Sequence, residues 1–194
     1  MKHFLSSTIL ILCVLGASVH AEGPAGIVLY FKSGEEVFLL MADHVSETSH
    51  SRGWAAFGGG AEVGESAAET AARETEEETR GYFSSESLYD KIRDATPVLD
   101  GTFSLFFAEV TFVPAVRVQN NHPPANERYY VERGPYAWIP FSVVRQFLVQ
   151  TTDMKRIHEI GERFLPSERN TDWFWTVWIR NLRKAVEADA LPWD

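Results

Sequence analysis

The 194-residue chain has 45% hydrophobic residues, 13 glycines and 9 prolines, which is the composition of a globular domain with a sizeable core. This composition excludes collagen-like, low-complexity and disulfide-rich proteins. Its 27 acidic and 18 basic residues give a net charge of −9, which argues against non-specific binding of nucleic acids or anionic membranes as the main activity. Cys13 is the single cysteine, so a cysteine-based metal site and an intrachain disulfide are excluded.

Residues 1–21 have the pattern of a secretory signal peptide. Lys2 gives a basic start, an apolar stretch follows at 4–17, and the short residues at the end of the segment predict cleavage after Ala21. A membrane anchor is the alternative, but the apolar run is shorter than the roughly 20 residues that a span requires. We therefore expect an exported protein, periplasmic or secreted, that keeps no membrane anchor after cleavage.

The sequence pattern over residues 25–57 predicts β-structure. Apolar, β-branched runs at 25–31 and 36–41 flank a short polar gap and predict a β-hairpin. Residues 43–53 are polar, so we expect a loop whose histidines are ordinary polar residues. The run 54–57 predicts a short strand, which ends at the three glycines 58–60.

The next segment predicts a helix over 67–79. Ser66 and Glu69 form the S-x-x-E capping box that marks a helix start, and Gly81 predicts the helix end. Alanines recur along one side of this helix, so that side suits close packing on a sheet.

The remaining patterns predict a strand at 103–112, a loop at 117–128, a short strand at 136–139 and three helices at 142–149, 154–165 and 171–188. No repeat or long linker divides residues 22–194, so we expect a single α/β or α+β domain with helices packed on a mixed sheet. Residues 152–194 are expected to form a helical C-terminal extension packed on it.

Three carboxylates share one face of the predicted helix 67–79. At 100° per residue, Glu74, Glu77 and Glu78 lie close together, and like charges at these spacings destabilise an isolated helix. A hard cation such as Mg²⁺ or Mn²⁺ would relieve that repulsion, and a carbonyl of the glycine run could complete its ligand shell. The alternative is a solvated acidic helix face.

The segment Gly59–Gly81 resembles the Nudix box, G-x5-E-x7-R-E-U-x-E-E-x-G-U, where U is aliphatic. Gly59 is followed at the family spacing by Glu65, then by Arg73 and Glu74, and then by Glu77 and Glu78. Several fixed positions within 23 residues make this a specific signal. The chain is therefore identified as similar to the Nudix hydrolases.

This resemblance implies an α/β/α sandwich around a mixed β-sheet. It also implies a hydrolase acting on phosphoric anhydride bonds, which cleaves a small-molecule nucleoside diphosphate derivative by attack of metal-activated water on phosphorus, with Mg²⁺ or Mn²⁺ as cofactor. By position, Glu74 and Glu78 would be the principal metal ligands, and Glu77 a third ligand or a catalytic residue that orients the water. The carbonyl of Gly59 would add an oxygen ligand.

Supporting roles follow by position as well. Glu65 and Arg73 would brace the loop against the helix. The general base in this family often lies outside the box, and Glu127 and Glu132 are the candidates here. Arg52 is the candidate for binding substrate phosphates.

Three positions depart from the family pattern. Thr75 stands where an aliphatic residue is usual, and we expect it to pack like a small β-branched residue. Arg80 occupies the glycine position, which predicts a helix cap one residue later, at Gly81. Phe57 replaces a proline that often precedes the two glycines.

Two rival functions remain open at this point. One is a non-catalytic Nudix-like module that binds a nucleotide or a protein. The other is an interaction protein that uses the aromatic residues near the C-terminus, Trp173, Trp175 and Trp178, although core packing of the last helix explains them equally well. Arg128 and Arg133 could also hold phosphates, but each is more typical of a protein surface.

Overall fold

The computed structural model describes residues 23–44, 52–122, 132–148 and 158–194. The predicted signal segment 1–21 and the candidate base Glu127 lie outside the described residues. None of the helices in the described ranges is both long and apolar enough to cross a membrane.

The described chain alternates strands and helices. The strands are β1 Ala25–Ser33, β2 Glu36–His44, β3 Phe57–Gly59, β4 Val98–Asp100, β5 Phe103–Glu109, β6 Arg133–Pro140, β7 His158–Glu159 and β8 Trp173–Phe174. The helices are α1 Ala67–Glu78, α2 Ser85–Ile92, α3 Ala115–Gln119, α4 Phe141–Leu148 and α5 Thr176–Glu187, with a 3₁₀ helix at Glu162–Phe164.

The central sheet is mixed, with strand order β4-β5-β1-β2-β6 and β3 paired to β1. Strand β1 runs antiparallel to β2 and β3 but parallel to β5. One face packs against α1 and α2, and the other packs against α4 and α5, so each face has its own hydrophobic cluster. This arrangement confirms the α/β/α sandwich expected from the sequence.

Several elements differ from the sequence prediction. Residues 158–165, expected to be helical, contain strand β7 and the 3₁₀ helix, because β7 pairs antiparallel with β8. The expected loop 117–128 begins inside helix α3. Helix α2, which starts at the cap Ser84, and the short strand β4 were not predicted.

The C-terminal segment is attached to the sheet by buried hydrogen bonds. The carboxylate of the fully buried Asp43 accepts from the backbone N–H groups of Asn170 and Thr171 and from the Thr171 hydroxyl. Backbone hydrogen bonds also join Trp54 to Trp173 and Trp175. This attachment brings α5 alongside the region that carries the glycine run.

Helix α5 contributes to the core as well. Trp178, Ile179 and Leu182 are buried in the cluster on its side of the sheet. Core packing therefore accounts for Trp178, whereas Trp175 is half-buried.

Candidate functional site

Helix α1 is held by its cap and by its small-residue face. The Ser66 hydroxyl accepts from the Glu69 N–H at 3.3 Å, and the Glu69 carboxylate accepts from the Ser66 N–H at 2.8 Å, which confirms the predicted capping box. Thr75 is fully buried and its hydroxyl donates to the Ala71 carbonyl, so it packs as a small β-branched residue, as expected. These features fix the face that carries the box glutamates.

The end of α1 differs from the sequence prediction. The helix ends at Glu78 with Thr79 as its cap, and Arg80 adopts a φ of 59°, in the left-handed region. The expected cap at Gly81 is therefore wrong, since the left-handed turn already begins at the position where the family has glycine. Arg80 donates to the Gln119 carbonyl and its own carbonyl accepts from Asn121, and these contacts hold the strained turn in place.

Arg73 connects helix α1 to the glycine loop, which comprises residues 58–65. Its guanidinium forms an ion pair with Glu65 at 2.6 Å and donates to the Gly60 carbonyl at 2.8 Å. It also reaches Glu74 at 3.0 Å and Glu77 at 3.3 Å. Because the guanidinium stabilises the ionised carboxylate, the pKa of Glu65 falls to about 2. This is the geometry that the predicted bracing role of Glu65 and Arg73 requires.

Glu74 lies directly against the backbone of Gly59. A Cβ atom added to Gly59 would overlap the Glu74 carboxylate, so only glycine leaves room for that group. Burial raises the pKa of Glu74 to about 7, and the negative charges of Glu78 and Glu77 also raise it, while Arg73 acts in the opposite direction. Glu74 thus carries an unfavourable charge that a cation beside it would stabilise.

Glu78 is the most enclosed of the three glutamates. Its carboxylate accepts from the Gly58 N–H at 2.8 Å and from Arg133 at 2.9 Å. Burial raises the pKa of Glu78, whereas Arg133 and the Gly58 N–H lower it. The Tyr136 hydroxyl donates to the Glu78 backbone carbonyl at 2.6 Å, which ties the end of α1 to β6.

Arg133 is buried, which corrects the expectation of a surface arginine. Its side chain is 1% exposed, and besides Glu78 it donates to the carbonyls of Ala42, Ala55 and Ala56. It therefore joins β2, the segment before β3, and the last turn of α1 around the functional glutamates. The sequence predicted this strand only over 136–139, so neither the place of Arg133 at the start of β6 nor its partners were predicted.

The box faces an open cleft of about 1200 Å³. Glu74, Glu77 and Glu78 line one side of it, and residues of α5 line another. Glu132 also lines the cleft and is exposed, and its charge raises the pKa of both Glu77 and Glu78. The structure thus brings Glu132 to the box, while Glu127 lies outside the described residues.

Arg52 reaches the same cleft next to two aromatic rings. Its guanidinium carbon lies 5.3 Å from the centre of the Trp175 ring, and the His44 ring meets Trp175 edge-on at 5.2 Å. His44 donates from Nδ1 to the Gly53 carbonyl at 2.8 Å, which assigns the hydrogen to Nδ1. Burial, together with the charge of Arg133, lowers the pKa of His44 to about 3.

The expectation that His44 is an ordinary loop residue is also wrong. His44 is the last residue of β2 and lines the cleft. The register between β2 and β6 shifts between Ala42 and His44, and such a shift cannot be read from side-chain alternation.

The donor chemistry of the box fits a hard divalent cation. The three glutamates supply oxygen ligands, and burial raises the pKa of each, an effect that a bound cation would oppose. Among the described residues, no three His, Cys, Asp or Glu side chains are arranged to hold a metal ion together. Each of the three box glutamates is instead paired with an arginine, since Arg73 pairs with Glu74 and Glu77 and Arg133 pairs with Glu78.

A family model described as NUDIX domain matches residues 22–159 of the chain. A search of curated proteins finds no match. The matched range includes the glycine run, α1 and β6, whereas β8 and α5 lie beyond it.

Proposed function

The chain belongs to the NUDIX domain family, and from that premise we propose that it is a metal-dependent pyrophosphohydrolase. Its substrate would be a nucleoside diphosphate linked to another moiety. The observation that carries the proposal is the set of three box glutamates, Glu74, Glu77 and Glu78, which line one cleft with pKa values raised by burial.

These glutamates and the Gly59 carbonyl would hold Mg²⁺ or Mn²⁺. When bound, such an ion neutralises diphosphate charge and lowers the pKa of water. The box itself is acidic, because residues 59–81 contain seven glutamates and only two basic residues, Arg73 and Arg80. An anionic substrate therefore needs cations at this site before it can approach.

The residues around the box have distinct proposed tasks. Arg73 and Glu65 keep the glycine loop against α1, so that the Gly59 carbonyl and the Glu74 carboxylate stay together. Arg133 orients the Glu78 carboxylate through a buried hydrogen bond. Arg52, exposed at the cleft, would bind a substrate phosphate.

The chemical step would be a simple hydrolysis. The oxygen of a water molecule forms a bond to phosphorus, the anhydride P–O bond breaks, and the leaving phosphate takes the bond electrons. A base must accept the proton of the attacking water. Of the two candidate bases, Glu132 is the one that lies within the described residues. It is exposed at the cleft beside Glu77 and Glu78.

A substrate panel tests this function. Purified protein would be assayed with sugar nucleotides, ADP-ribose, dinucleoside polyphosphates, coenzyme A and nucleoside triphosphates, with Mg²⁺ or Mn²⁺ and with product identification. We expect cleavage of a diphosphate linkage in at least one of them, and we expect EDTA to stop it. Nucleotide binding without metal-dependent turnover across the panel would instead establish the non-catalytic binding module.

The variant Glu78→Gln tests the role of the Glu78 carboxylate in activity. It keeps the shape of the side chain but removes the charge, so we expect the rate to fall by at least about 100-fold. Because the change also leaves the buried Arg133 guanidinium without its counter-charge, circular dichroism and a thermal melt must show that the variant is folded at the assay temperature. Glu86→Gln is the control, because Glu86 is an exposed residue on the first turn of α2. Equal activity of both variants would contradict the role of Glu78.

Export of the protein is a separate proposal that rests on residues 1–21. N-terminal sequencing of the protein purified from its natural source would test it. We expect the mature chain to begin at Glu22 and to be found in a periplasmic or extracellular fraction. A cytosolic protein that retains residues 1–21 would overturn this proposal without affecting the proposed activity.

A further inference from the structure

The cleft has one wall that lies beyond the matched family range. Trp175 and Trp178 line the cleft opposite the box glutamates, and both follow residue 159, where the family match ends. The backbone N–H of Trp175 donates to the Trp54 carbonyl at 2.9 Å, and the Trp54 N–H donates to the Trp173 carbonyl at 2.8 Å. This pairing places Trp175 firmly at the cleft.

Trp175 is close to the box through a short series of contacts. Arg133, which holds Glu78, is the register partner of His44 across the ladder between β2 and β6. His44 in turn meets the Trp175 ring edge-on. The indole is therefore separated from a box carboxylate by two side chains, and all four groups line the same cleft.

The surroundings of Trp175 suit a flat aromatic group. The indole is half-buried, which leaves part of its surface open to the cleft. Its neighbour His44 is held neutral, since burial lowers the pKa of its imidazole to about 3, so the edge-on imidazole places no charge beside the indole. Arg52 is exposed and lies over the indole ring, where planar cations and planar bases both stack.

A second aromatic residue lies at the same wall. Trp178 lies one helical turn after Trp175 and is 4% exposed, and its Nε1–H has no acceptor among the described residues. This nitrogen is itself covered by the protein, so Trp178 packs within the wall and offers no exposed donor to a ligand.

We propose that Trp175, together with His44 and Arg52, forms a subsite that stacks the nucleobase of the substrate beside the box. The inference rests on the proposed function, which it deepens, because it names the residues outside the matched family range, and beside them, that hold the base of the nucleoside diphosphate. The base lies on Trp175, Arg52 is near the base and the adjoining phosphates, and the diphosphate reaches the box glutamates.

Binding of three non-hydrolysable probes, two with a base and one without, tests the subsite. α,β-Methylene ADP and α,β-methylene UDP carry a base, whereas methylenediphosphonate has the same P–C–P group and no base. Their Kd values would be measured by calorimetry with the full chain in Mg²⁺, for the wild type, Trp175→Ala, Trp175→Leu and Trp175→Phe. Phe112→Ala is the control, because Phe112 is an exposed aromatic residue that does not line the cleft.

We expect Trp175→Ala and Trp175→Leu to raise the Kd of the base-containing probes about tenfold, while methylenediphosphonate binding stays unchanged. Trp175→Phe retains a ring and should change these values less than threefold. If Trp175→Ala fails to fold, the pair Trp175→Leu and Trp175→Phe carries the same comparison, since both replace the indole with a large apolar side chain.

Other outcomes overturn the subsite. Equal effects of Trp175→Leu on all three probes would indicate a purely structural role, and no effect on any probe would exclude stacking on this ring. A wild-type protein that binds neither kind of probe would overturn the proposed function and the subsite together. A wild-type protein that binds the bases through Trp175 but hydrolyses nothing in the substrate panel would contradict only the proposed hydrolysis.

Discussion

Arg133 donates from Nη1 to the Glu78 carboxylate over 2.9 Å, across a sequence separation of 55 residues. Both side chains are enclosed, with exposures of 1% and 11%. The pair links β6 to the last turn of α1, and it fixes the position of Glu78, one of the three box glutamates. Its consequences for stability can be measured without knowing the substrate.

Arg133→Met should destabilise the protein by about 3–5 kcal/mol, because it leaves the buried Glu78 carboxylate without its counter-charge. It also removes the donor that serves the Ala42, Ala55 and Ala56 carbonyls. Urea unfolding at neutral pH with EDTA present measures the change in free energy of unfolding.

The control for this variant is Arg93→Met. Arg93 pairs with Asp90 on the surface, where both side chains are more than half exposed, so its loss should cost less than about 1 kcal/mol. A change below that size in Arg133→Met as well would show that the buried pair contributes little.

Gly59→Ala should impair catalysis more than folding. The added methyl group would overlap the Glu74 carboxylate and displace it, and a misplacement of about 1 Å can reduce a rate by about 100-fold. Steady-state rates on the best substrate of the panel, with a thermal melt of each variant, separate the two effects.

The neighbouring glycine supplies the control for this change. A Cβ atom on Gly60 would have no heavy atom of the described residues within 4 Å, and its carbonyl would still accept from Arg73. Gly60→Ala should therefore keep near-normal activity. Similar losses in both variants would mean that loop flexibility, and not the Glu74 contact, sets the rate.

Glu132→Gln should lower kcat by about 10²–10⁴-fold if Glu132 accepts the proton of the attacking water. The acidic limb of the pH–rate profile should disappear with it, whereas the metal concentration for half-maximal activity should change little. Glu127→Gln, assayed in parallel, identifies the base if it alone shows this loss. A kcat within threefold of the wild type in Glu132→Gln would rule Glu132 out.

His44 should make the protein sensitive to mild acid. Its pKa is about 3 in the folded protein and near 6.5 when unfolded, so below pH 6.5 the unfolded chain takes up the proton first. The stability that His44 supports is complete above pH 6.5 and is lost as the pH falls towards 3. The slope should approach about 1.4 kcal/mol per pH unit.

His44→Asn removes this titration, while the Asn amide can still donate to the Gly53 carbonyl. Free energies of unfolding at pH 7.5, 6 and 5 should therefore fall less steeply in the variant. All other titrating groups act equally on both proteins, so the difference between the two slopes isolates His44. Identical slopes would mean that the His44 ring is already accessible to protons in the folded state.

Patterns within a few residues of each other predict much of the fold and of the Nudix box. The hairpin, the capping box at Ser66 and Glu69 and the shared face of Glu74 and Glu77 depend on side-chain alternation and on the 3.6-residue helical repeat. Such local rules fail where pairing is non-local. Residues 158–165 contain a strand instead of the expected helix, because β8, whose hydrogen bonds stabilise β7, lies more than a dozen residues away.

The amino-acid sequence alone thus determines which residues can form the proposed metal-binding face, because their spacing along one helix places them together. Only the tertiary structure decides what surrounds that face. Arg133, His44 and Trp175 reach the cleft through a buried ion pair, a register shift and a backbone pairing with Trp54. Each depends on contacts between distant segments, whose free energies arise only when the sandwich is assembled and water is excluded.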